Sequence, residues 1–215
     1  FTPLKLTLKG LKGGHSGADI HLGLGNANKL LARFLSDHAD EFDVRLADFT
    51  GGTLRNAIPR EAVAHIAVPA AQVEAFRKAV DAFQATLQFE LAAVEKNIKL
   101  VTESSDSSVK VLSKDSQNRF IGLLNATPNG VIRMSDDVKG VVETSLNVGV
   151  VSMNEGEAEV ICLIRSLIDS GKDYVVSMLT SVGQLAGAKT APKGGYPGWK
   201  PDPESPVMAQ VREIY

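Results

Sequence analysis

Three short stretches of the 215-residue chain hold the residues best suited to chemistry. The first is GGHSG, which sets His15 between glycines. Glycines free the backbone and let a ligand come close to it. A histidine on such a loop can donate a hydrogen bond to a developing oxyanion. A tight turn carrying an exposed histidine fits the same letters. The second stretch is TGGTLRNAIPREA, which presents Asn56 between a Gly-Gly pair and Pro59. An asparagine amide both donates and accepts, so it suits a polar substrate, and it equally suits the capping of a turn. The third is VICLIRSLIDS, which places Arg165 in an apolar run. A buried, unpaired charge is costly, so Arg165 needs a carboxylate. That carboxylate comes either from the fold or from a ligand held by the guanidinium fork.

A metal reading of the first stretch groups His15 with Asp19 and His21. Zinc takes three or four such ligands, but no further His, Asp or Glu cluster accompanies these. His21 and Asp19 fit better as residues at a helix start, where an acid complements the helix dipole. Cys162 is the single cysteine, so no disulfide can form within the chain. It sits in VICLI and reads as a buried small hydrophobe. A reducing cytoplasm is the expected compartment. Net charge is −2, which gives no electrostatic case for nucleic acid or an anionic membrane. No apolar run reaches the roughly 18 residues that would cross a bilayer. The chain begins on Phe1 without an initiator Met and stops within a helical pattern at Tyr215. Both ends are therefore expected to be internal cuts in a longer polypeptide. A phosphate loop, a Rossmann fingerprint and a serine-hydrolase elbow are all missing, and GLGNAN at 23–28 is placed inside a helix.

The elements that must position these residues follow from hydrophobic periodicity. Alternation predicts strands at 4–11, 42–49, 61–68 and 98–102. Spacing of three and four residues predicts helices at 22–35 and at 69–94, the second opened by Pro69. The order β-α-β-β-α-β is that of a ferredoxin-like split unit. A polar spacer, SSDSS at 104–108, leads to a second and less regular α/β half. That half holds a short helix at 115–124, a strand at 131–134, strands at 141–152 and 157–168 joined by the turn MNEGE, and a helix at 173–186. KGGYPGWKPDPESP then reads as an extended linker, with a new helix beginning near Ser205. The expected fold class is α+β: an antiparallel sheet with helices packed on one face.

Taken in order, GGHSGADIHLGLGNANKLL, FTGGTLRNAIPREA, ETSLNVGVV, IRSLIDS and GGYPGWKPD resemble one family. They are similar to the aminoacylhistidine dipeptidases (Xaa-His dipeptidases, bacterial carnosinase-type), a branch of the zinc aminopeptidase and carboxypeptidase clan. The resemblance covers nearly the whole chain and rests on the combination, since each motif alone is weak. It implies the lid inserted into a catalytic domain that holds two zinc ions. On this reading 1–192 is the lid and dimerisation domain, with halves at about 1–103 and 109–192. Residues 193–215 are then a linker and the start of the returning catalytic segment. The family's Glu-Glu pair does not occur in this sequence, and the one His-x-Asp present, His38-Ala39-Asp40, lies at a helix end and not on a strand as the family's motif does. No cofactor is expected in this chain, and the chain is not expected to hydrolyse peptides by itself. The resemblance also implies roles. His15 would stabilise the tetrahedral intermediate, Asn56 would bind polar groups of the substrate, and Arg165 would hold its C-terminal carboxylate. The implied partners are the chain's own catalytic domain, a second copy through the lid, and a dipeptide. Relatives differ in whether the lid serves its own active site or its partner's.

Overall fold

The computed structural model describes residues 1–105, 110–154, 156–202 and 204–214. Residues 106–108 of the SSDSS spacer and Glu155 of the MNEGE turn lie outside the described residues.

The first half forms around four strands and two helices. These are β1 (Thr2–Lys9), α1 (Ala27–His38), β3 (Arg45–Gly51), β5 (Ala62–Val68), α2 (Val73–Glu90) and β6 (Lys99–Ser104). Two short strands, β2 (Gly14–His15) and β4 (Ala57–Ile58), lie between them. The sheet runs β6-β1-β5-β3 with every pair antiparallel, the strand order of the ferredoxin-like split unit. Leu4, Leu6 and Leu8 alternate on β1 and are buried. On α2, Phe76, Val80, Phe83 and Leu87 recur at helical spacing and are all buried. Phe34 of α1 meets Phe76 edge-on at 5.7 Å and Phe83 at 5.3 Å, which ties the two helices together over the sheet.

The second half contains α3 (Lys114–Ala126), β7 (Gly130–Met134), β8 (Val142–Asn154), β9 (Glu157–Ser166) and α4 (Asp169–Leu185). The long hairpin β8–β9 is antiparallel from Thr144↔Ser166 to Asn154↔Glu157. β7 pairs with the start of β8, and β3 meets the same edge further on, at Gly51↔Val151. The result is one seven-stranded antiparallel sheet. The core is shared as well: Phe120, Ile121, Leu124, Val148 and Val151 join the cluster built by β1, α1 and α2. α5 (Pro206–Ile214) follows the linker, and the Ser205 hydroxyl accepts from Met208 N–H at its start.

The structure moves several boundaries. α1 starts at Ala27, not 22, because the Asn26 side chain caps it by accepting from Lys29 N–H, and Ile20–Leu22 is a separate 3₁₀ turn. GLGN therefore lies ahead of the helix. α2 starts at Val73 after a 3₁₀ turn at Ala70–Gln72, so Pro69 precedes that turn rather than opening the α-helix. α4 starts at Asp169, four residues before the pattern predicts, with Asp169 favourably placed in its first turn. β2 and β4 were not predicted, since two residues carry no periodicity.

Candidate functional site

β2 and β4 form a small antiparallel ribbon, with His15 opposite Ala57. This ribbon carries both the first and second candidate residues. The His15 backbone N–H donates to Asp19 Oδ2 at 2.7 Å, which fixes the loop from below. Gly17 N–H and Ala18 N–H both donate to His15 Nδ1, at 3.2 and 3.0 Å. With the Nδ1 lone pair engaged, the hydrogen-bond pattern assigns the ring proton to Nε2. The exposed imidazole therefore offers an N–H donor outward.

Asn56 sits beside this loop. Its carbonyl accepts from Ser16 N–H at 2.9 Å, while its exposed side chain makes no hydrogen bond among the described residues. The turn is thus held by the backbone of Asn56, and its amide is left free.

Arg165 comes from the other half, on β9 opposite Ser145. Its Nε donates to Ser16 Oγ at 3.3 Å, and its Nη2 lies 3.5 Å from His15 Nε2. At that distance, with both atoms carrying protons, the two groups are neighbouring donors rather than bonded partners. Among the described residues no carboxylate lies within ion-pair distance of Arg165. A structural ion pair, the first of the two local readings of this arginine, is not what the fold provides. An unpaired guanidinium next to an imidazole N–H is instead an anion-binding arrangement.

Two of the other histidines are occupied. His65 Nδ1 meets Asp48 at 2.8 Å, and His38 Nδ1 meets Glu41 at 3.1 Å. Cys162 is partly rather than fully buried and packs against the core. Burial pushes its thiol up to about 11, so it stays protonated at neutral pH. Among the described residues no group of three or more His, Cys, Asp or Glu stands close enough to hold a metal ion. Asp19 serves the His15 backbone, and His21 lies exposed in the 3₁₀ turn.

What holds the two halves of the site together was missed in the sequence. β3 and β8 share a single register pair, and three buried asparagines reinforce the joint. Asn28 Nδ2 donates to Gly51 O on β3 and to Val148 O on β8, each at 3.3 Å. Asn26 Nδ2 donates to Val148 O at 3.1 Å. Asn147 Nδ2 donates to Arg55 O at 3.0 Å and Ala57 O at 2.8 Å, gripping the loop on both sides of Asn56. The backbones also come very close. A Cβ on Gly149 would stand 2.6 Å from Arg55 O, and Gly52, at φ +71°, has room for no side chain against Gly149 O. The available signals were two asparagines in GLGNAN and one in the strand ETSLNVGVV, set between Leu146 and Val148.

Residues 6–95, from within β1 to five residues past α2, match the model of the peptidase dimerisation domain. Over all 215 residues the chain is 65% identical to the cytosol non-specific dipeptidase of Escherichia coli (strain K12), and it covers 44% of that protein. It superposes on the crystal structure of an aminoacylhistidine dipeptidase from Vibrio alginolyticus with a TM-score of 0.97 at 53% identity. That match covers 100% of this chain and 44% of the crystallised one. The resemblance read from the motifs and the α+β class are both met. The chain spans less than half the length of either relative. His15 and Asn56 lie within the matched stretch, and Arg165 lies beyond it.

Proposed function

We propose that this chain is the lid and dimerisation segment, 1–192, of a zinc-dependent cytoplasmic dipeptidase that cleaves Xaa-His dipeptides such as carnosine. Residues 193–215 begin the return to the catalytic domain. The observation that carries the reading is Arg165, a guanidinium with no carboxylate partner among the described residues, standing beside the outward N–H of His15. A dipeptide offers these donors two oxygen groups. Arg165 binds the C-terminal carboxylate, and the fork geometry orients the peptide. His15 Nε2–H donates to the carbonyl oxygen as it gains charge, an interaction that strengthens towards the transition state. Asn56, with its amide free, binds a polar group of the substrate. Among the described residues no His, Cys, Asp or Glu cluster could hold zinc, and on this reading the metal ions sit in the part of the longer protein outside this chain. The peptidase dimerisation domain supports a homodimer as the working form.

The test is kinetic and uses the complete enzyme. His15→Ala should lower kcat on carnosine by on the order of 10²–10³, the usual effect of losing one oxyanion donor. Arg165→Ala should act mainly on KM, and Asn56→Ala should act more weakly in the same direction. Zinc content should stay at the wild-type level in all three. Wild-type kinetics in His15→Ala and Arg165→Ala would overturn the reading, and so would cleavage of carnosine by the isolated chain.

A further inference from the structure

We infer that Ser16 is a positioning residue that sets the Arg165 guanidinium against His15. This rests on the proposed role of Arg165 as the carboxylate-binding group. Ser16 is 1% exposed and joins all three candidate residues. Its backbone follows His15, its N–H binds Asn56 O at 2.9 Å, and its hydroxyl accepts from Arg165 Nε at 3.3 Å. That hydroxyl is the one hydrogen-bond acceptor Arg165 has among the described residues, because its other polar neighbour, His15 Nε2, is itself a donor. A long arginine side chain has about 2 kcal/mol of rotamer freedom to lose when it binds. Anchoring Nε removes part of that freedom beforehand and leaves the Nη groups to face the ligand.

Gly17 completes the device through space. Its φ lies outside the left-handed region, so the backbone does not require glycine there. A Cβ would stand 3.1 Å from Arg165 Nε and 3.1 Å from His15 Cε1. The glycine leaves the gap in which the guanidinium and imidazole lie side by side. Ser16 and Gly17 therefore do for the site what the asparagines and glycines do for the joint: one bonds, the other permits close approach.

The experiment compares carnosine with its C-terminal amide in the complete enzyme, using wild type, Arg165→Ala, Ser16→Ala and Gly17→Ala. Ser16→Ala should raise KM for carnosine on the order of ten-fold, the low end of what a hydrogen bond to a charged group contributes. kcat should stay within about two-fold, because the backbone bonds to His15 Nδ1 remain. For the amide, which lacks the carboxylate, Ser16→Ala should match wild type. A purely structural role would weaken both substrates alike. Gly17→Ala, at a half-buried loop position, should show the same carboxylate-selective loss and stands in if Ser16→Ala does not fold. If Arg165→Ala shows the carboxylate-selective loss and neither loop variant does, the positioning role is wrong. If Arg165→Ala shows none, the carboxylate-binding reading itself has failed.

Discussion

The two halves of this chain fold by different means. The first half is self-consistent: four strands close an antiparallel sheet in the β6-β1-β5-β3 order, and α1 and α2 cover one face through Phe34, Phe76 and Phe83. The second half has one long hairpin, a short strand β7 with two register shifts, and α3, whose buried Phe120, Ile121 and Leu124 feed into the first half's core. The lesson is a division of labour. The first half supplies a rigid platform and the His15–Asn56 loop, and the second half leans on that platform to deliver Arg165.

The largest test of this comparison is Phe34→Ala. Removing a fully buried aromatic at the α1–α2 contact should cost about 3–5 kcal/mol. Because the halves share a core, urea unfolding followed by far-UV circular dichroism should remain a single transition at a lower midpoint. A second transition left in place, carrying the helical signal of α3 and α4, would show that the halves are independent.

A smaller effect should come from Gly149→Ala. The new methyl would meet the backbone at Arg55, which cannot move as a side chain could. Overpacking of this kind costs about 1–3 kcal/mol. It should also raise amide hydrogen exchange in 54–58, where Asn147 grips the loop. Unchanged exchange there would mean that the joint tolerates separation and does not hold Asn56 in place.

The smallest effect concerns Lys29, whose ammonium reaches from α1 to the carbonyls of Leu124, Asn125 and Thr127 at the end of α3. Burial lowers its pKa from 10.5 to about 8. Between pH 8 and 10.5 the unfolded chain then binds more protons than the native one, so this lysine makes stability rise with pH across that window. Below pH 8 its cost is constant. Lys29→Met should flatten the rise when the two pH profiles are subtracted. An identical slope in both would show that Lys29 is solvated and does not link the halves.

Much of this was legible from residues. The alternating leucines of β1 and the helical spacing of Phe76, Val80, Phe83 and Leu87 gave the type and order of the elements, since burial on one face imposes those periods. Boundaries were less readable wherever a cap decides them. Asn26 starts α1 by a single side-chain bond, which hydrophobic spacing does not record. The ribbon of β2 and β4 was invisible for the same kind of reason.

Sequence by itself determined the element order, the single cysteine's inert setting and the three residues with chemistry to offer. It also carried the likeness to the dipeptidases, through motifs spread along the chain. Only the tertiary structure decided that Arg165 lies beside His15, although 150 positions separate them. It also decided that this arginine has no carboxylate among the described residues, and that Asn26, Asn28 and Asn147 stitch the halves together. The physical reason is that periodicity reports which face of an element is buried and nothing about what approaches it. A guanidinium's partner is settled by sheet register and loop contact, and these form only when both halves pack.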